Sequence, residues 1–82
     1  MITREEFLKV KAPFYYVRVS NSQWAQVNRD MIAQWIDAHC GGWTYYDYHD
    51  TYVFERIGDR IMFVIWIKGE PFSENMGEVI PP

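Results

Sequence analysis

The sequence predicts an α+β fold with two layers: an antiparallel sheet with one long helix packed on one face, in the order (α)-β-α-β-β-β. Three observations predict it. Trp24, Val27, Met31, Trp35 and Ala38 recur at helical spacing within residues 20–40, with Ile32, Ile36 and Cys40 on an adjoining row. The stretches 14–19, 43–57 and 60–68 are dense in β-branched and aromatic residues, which suit a pleated surface. A length of 82 residues allows one domain with one core.

Each element has a local reason. Thr3-Arg4-Glu5-Glu6 has capping-box spacing, so a short helix is expected from Thr3 to about Val10. Pro13 disfavours helix at Ala12 and starts an extended segment. In the strand 14–19, Tyr15, Val17 and Val19 share one face, and Phe14, Tyr16 and Arg18 the other. Ser20 with Gln23, or Ser22 alone, can cap the long helix, and Gly41-Gly42 is read as its left-handed stop. Residues 43–48 and 51–57 are read as two strands around a His49-Asp50 turn. Gly58-Asp59 has the type II′ hairpin signature, so 60–68 is expected to be a further strand. Residues 1–70 form the expected domain and 71–82 a loosely ordered tail.

Composition narrows the function classes. Hydrophobic residues are 49% and aromatic residues 18%, too many for a disordered chain. Eight Lys+Arg against 11 Asp+Glu give a net charge of −3, which argues against a duplex DNA binder and its basic footprint. A single cysteine excludes an internal disulfide framework and a zinc site built from several thiolates of one chain. The apolar run 61–67 is too short to span a bilayer. The first residues lack a basic-then-apolar secretory pattern, so the expectation is a cytoplasmic protein with no membrane role.

The expected hairpin at Gly58-Asp59 sets Phe54 opposite Phe63, Val53 opposite Val64 and Tyr52 opposite Ile65. Tyr52, Phe54, Ile61, Phe63, Ile65 and Ile67 then share the core face. Thr51, Val53, Glu55, Met62, Val64 and Trp66 share the other, joined by Tyr46 and Tyr48 if the His49-Asp50 loop has two residues, and by Phe14, Tyr16 and Arg18 of the first strand. One helix covers one side of a sheet, so this second face is expected to stay apolar and uncovered, as contact surfaces do. The competing expectation is that Phe7, Leu8 or Phe72 folds back over it.

Chemistry-bearing clusters are sparse. Asp47-Tyr48-His49-Asp50 has metal-ligand residue types, but no second ligand cluster accompanies it, and it reads as a solvated turn. His39 and Cys40 are neighbours on a helix and point about 100° apart, so Cys40 reads as a small hydrophobe and His39 as a helix C-terminal charge. No phosphate loop, dinucleotide fingerprint, nucleophile elbow or paired-His motif is present. The expectation is a protein that is not an enzyme, with no cofactor and no metal.

Asp50-Thr51-Tyr52-Val53-Phe54 followed by Asp59, Phe63 and Ile65 resembles a group of small phage-encoded proteins of unknown function. In these an aromatic strand ending in Phe precedes Asp-Ala and a Phe-x-Leu-Arg-Trp segment. Here Arg60 stands for the Ala, Trp66 for the Arg and Ile67 for the Trp, and the match covers about a fifth of the chain. The resemblance implies a mobile-element origin, a role in inhibiting a host factor, and an alternative ferredoxin-like β-α-β-β-α order with a helix at 59–67.

The functional expectation is a non-catalytic protein-binding module, in its specific form a phage-encoded inhibitor of a host enzyme or defence complex. It would act through an aromatic sheet face and an acidic edge, with Tyr16, Tyr46, Asp47, Tyr48, Asp50, Val53, Glu55, Val64 and Trp66 as partner-binding residues. The partner is another protein or a second copy. A single-stranded nucleic-acid binder is the alternative, with Tyr16, Tyr46 and Trp66 stacking bases beside Arg18, Arg60 and Lys68.

Overall fold

The capping box at Thr3 forms as its spacing predicts. The Thr3 hydroxyl accepts from the Glu6 N–H, and the Glu6 carboxylate accepts from the Thr3 N–H (3.1 Å), opening α1 at Arg4–Leu8. The structure, a computed structural model, describes residues 1–19, 22–47, 50–69 and 79–80. Its further elements are β1 (Tyr15–Val19), α2 (Ser22–Val27), α3 (Arg29–His39), β2 (Thr44–Asp47), β3 (Thr51–Phe54), α4 (Ile57–Gly69) and the short β4 (Val79–Ile80). The readings placed on Ser20, Asn21, Tyr48, His49, Phe72 and the tail outside Val79–Ile80 lie outside the described residues.

The fold class is α+β, with helices packed on an antiparallel sheet ordered β2-β3-β1-β4. β1 and β2 each pair antiparallel with β3, so they run parallel to one another, joined through α2 and α3. From β1 to α4 the elements follow the β-α-β-β-α order that the resemblance implies, with the crossover divided into α2 and α3. The long helix divides at Asn28, whose side-chain amide donates to the Trp24 carbonyl (2.9 Å). Its buried row is Ala25, Ile32 and Ile36, while Val27 is 78% exposed.

Two expectations are corrected. The segment read as a strand after a Gly58-Asp59 hairpin is the helix α4, and β3 pairs with β1 and β2 instead, Phe54 meeting Tyr15 and Thr44. Strands lie about 4.8 Å apart and a helix is about 10 Å across, so one helix leaves part of the sheet bare. α4 covers the rest by lowering Phe63 and Ile67 onto Val17, Tyr52 and Phe54. Helical geometry keeps Phe63 and Ile67 inside and turns Ile61 and Ile65 out, 49% and 67% exposed, where alternation had put all four on the core face.

The second correction is one residue of register. Asp47 pairs with Thr51, leaving residues 48–50 as a three-residue connection in place of two. Asp50 takes a left-handed conformation (φ 58°), as the last residue of such a loop often does. The extra residue reverses the parity of β2, so Tyr46 pairs with Tyr52 on the helix side, and Tyr45 with Val53 on the other.

That other side is partly covered by α1. Phe7 stacks on Tyr45 (4.4 Å between ring centres, 10°) and meets Phe14 and Trp43 edge-on. Tyr45 and Val53 are buried beneath it, while Phe14 and Tyr16 stay more than 40% exposed. Folding back of the N-terminal helix through Phe7 is therefore what closes much of the sheet face expected to be open.

Candidate protein-interaction surface

α4 carries apolar residues all round. A helix of that pattern is normally enclosed. Here one row is enclosed: Asp59, Phe63 and Ile67 are buried, and Val64 and Trp66 are half-buried. The opposite row is not. Ile57, Ile61 and Ile65 recur every four residues and stack along one face, 49%, 49% and 67% exposed, with Met62 beside them. Exposed Lys68 stands at the C-terminal end of this stripe, whereas the Arg56 side chain lies against Gly41 and Gly42.

α4 is held by both packing and polar contacts. Phe63 contacts Trp35, Tyr52, Phe54 and Trp66, and Trp35 of α3 stacks on Trp66 (4.6 Å, 11°) and on His39 (4.6 Å, 18°). The buried Asp59 carboxylate accepts from the Gly41 N–H (3.3 Å) and the Gly42 N–H (3.0 Å), tying the start of α4 to the end of α3. Glu55 adds a bond from the Trp43 N–H (3.1 Å). The two glycines serve this close approach. A Cβ at Gly42 would lie 2.7 Å from Glu55 Oε1 and one at Gly41 2.9 Å from Arg56 Nη1, and neither glycine takes the left-handed conformation expected of a helix stop.

The residues expected to form one contact face are dispersed. Tyr16 lies exposed on the α1 side of the sheet; Val53 shares that side but is buried. Tyr46 lies on the helix side, its hydroxyl donating to Asp50 Oδ1 (3.2 Å). Asp50 is buried, Asp47 sits 3.8 Å from Arg4 Nη1, and the Glu55 carboxylate turns to Trp43, so these acids do not line one edge. Val64 and Trp66 belong to α4, and Tyr48 lies outside the described residues. The base-stacking platform of Tyr16, Tyr46 and Trp66 is likewise divided between the two sides of the sheet. The isoleucine stripe escaped the sequence reading because a period of two was applied to 60–68. The four-residue recurrence of Ile57, Ile61 and Ile65 is the signal that marks it.

Nucleophilic and metal chemistry find little footing. Burial, then the nearby Asp59 and Asp37, pushes the Cys40 thiol up to about 11, so it is protonated at neutral pH and a poor nucleophile. His39 donates from Nδ1 to the Trp35 carbonyl (2.8 Å), as a residue closing the last turn of α3. Among the described residues no group of three or more His, Cys, Asp or Glu side chains could hold a metal ion, and no helix is long and apolar enough to cross a membrane. Comparison with family models, curated proteins and solved structures finds no match to the chain.

Proposed function

We propose that the chain is a non-catalytic protein-binding module whose contact surface is the outer face of α4. The observation that carries this reading is the exposed Ile57-Ile61-Ile65 stripe with Met62, on a helix whose opposite row is sealed in the core. Anchors one turn apart suit insertion into an apolar groove of a partner. Lys68 at the end of the stripe matches an acidic group on the rim of such a groove. The sequence resemblance to small phage proteins supplies the specific form, an inhibitor of a host enzyme or defence complex.

The test is capture of a bacterial host enzyme by the immobilised chain, with the activity of the retained enzyme measured as chain is added. The wild type and Tyr16→Ala are expected to retain and inhibit the same enzyme. Ile61→Glu/Ile65→Glu is expected to lose it by roughly 30-fold or more, the effect of a buried interface anchor, with an unchanged far-UV spectrum. Equal retention by the double variant overturns the reading. Light scattering of the two proteins shows whether the stripe instead pairs with a second copy.

A further inference from the structure

β2 is the outer strand of the sheet on the side away from β4. In an antiparallel pair, alternate residues turn their N–H and C=O toward the partner strand or away from it. The Glu55 N–H donates to the Trp43 carbonyl (3.0 Å), which places Trp43, Tyr45 and Asp47 in the set facing β3. Thr44 and Tyr46 therefore direct their backbone groups outward. The Thr44 carbonyl is taken by the Ile2 N–H (2.7 Å), so among the described residues the open stretch of edge centres on the N–H and C=O of Tyr46.

A cleft of about 310 Å³ opens at this point, lined by Arg4, Arg29, Tyr45 and Tyr46. The two guanidinium groups reach it from opposite sides of the sheet. Arg4 comes from α1, its Nη1 3.5 Å from the Tyr45 hydroxyl and 3.8 Å from Asp47. Arg29, the first residue of α3, lies over the Tyr46 ring at 4.3 Å. Asp47 offsets part of the Arg4 charge at that separation, and an aromatic face leaves the Arg29 charge intact. A chain of net charge −3 thus lines a cleft on a strand edge with two guanidinium groups, Asp47 standing behind Arg4 and Asp50 at the Tyr46 hydroxyl.

The geometry points to this edge as a binding site for an extended acidic peptide segment of a partner, added as a strand beside β2 and carrying two acidic residues adjacent in sequence. Successive side chains of a strand project to opposite faces, so neighbouring acids reach Arg4 on one side and Arg29 on the other. The peptide backbone meanwhile supplies a donor for the Tyr46 carbonyl and an acceptor for its N–H. A free anion can answer the arginines but does not supply the spaced donor and acceptor of a strand. The inference rests on the reading of the chain as a protein-binding module and not on the α4 stripe.

The experiment is titration of the whole chain, followed through the Tyr46 amide resonance, with the end-blocked hexapeptide Thr-Val-Glu-Glu-Val-Thr. The controls are Thr-Glu-Val-Glu-Val-Thr, which puts both acids on one face, and inorganic phosphate. The Glu-Glu peptide is expected to move the Tyr46 amide, to bind about tenfold more tightly than the control peptide, and to weaken about tenfold in each of Arg4→Gln and Arg29→Gln and again as salt is raised. Equal binding of the two peptides, indifference to both arginine substitutions, or the same Tyr46 shift with phosphate alone overturns the inference. Ile61→Glu/Ile65→Glu is expected to bind the peptide as the wild type does. Failure of α4 and failure of the β2 edge are therefore read separately.

Discussion

α3 and α4 lie against the same side of one sheet and touch through Trp35 and Trp66, yet they meet solvent differently. α3 buries Ile32 and Ile36 and turns Asp30, Gln34 and Asp37 outward. α4 buries Phe63 and Ile67 and turns Ile57, Ile61 and Ile65 outward. Each helix seals the core with its inner row, and the outer isoleucines of α4 keep about half or more of their surface exposed. The difference separates the residues that seal the core from an apolar row that the fold leaves exposed, as the proposed contact surface requires.

The contrast can be broken most sharply inside α4 itself. Phe63→Ala is expected to cost about 3–5 kcal/mol in urea denaturation, because the ring fills the centre of the aromatic cluster. Ile65→Ala, at 67% exposure, is expected to stay within about 0.5 kcal/mol. Comparable losses at the two sites would mean that 60–68 alternates after all.

A smaller effect compares the first turns of the two helices. Asp59→Ala leaves the Gly41 and Gly42 N–H groups without their carboxylate and is expected to cost about 1.5–3 kcal/mol. Asp30→Ala removes an exposed acid from the first turn of α3, and less than about 1 kcal/mol should follow. The difference between their chemical denaturation midpoints tests whether Asp59 ties the helices together or merely favours a helix start.

The smallest effect has the opposite sign. A Cβ at Gly58 would meet nothing within 4 Å, so Gly58→Ala is expected to raise stability by about 0.5–1 kcal/mol, seen as a higher thermal midpoint. A lowered midpoint would point to a turn at Gly58-Asp59.

Much of the fold was legible in particular residues. Thr3 and Glu6 announce the α1 cap, the alternation of Tyr15, Val17 and Val19 assigns the inner face of β1, and Ile32 and Ile36 mark the helix before β2. The candidate site was not legible. Phe63 and Ile67 satisfy both a period of two and a helical turn, so the inner row of α4 could not decide between strand and helix. The same β-branched content that gives β3 its strand also fills α4, where tertiary covering of Val17, Tyr52 and Phe54 overrides local preference. Asp59 carried a turn signature and serves as a buried anchor, because its partners, Gly41 and Gly42, lie 18 and 17 residues away.

Near-neighbour chemistry was sufficient to establish an α+β chain with a capped first helix, an aromatic first strand and a long amphipathic crossover, because caps and periodicities act over a few residues. The parity of β2, the helical state of residues 57–69 and the direction in which the isoleucines point were settled by packing. One residue in the β2–β3 connection and the width of a sheet that a single helix cannot cover are long-range conditions, and no local pattern records them.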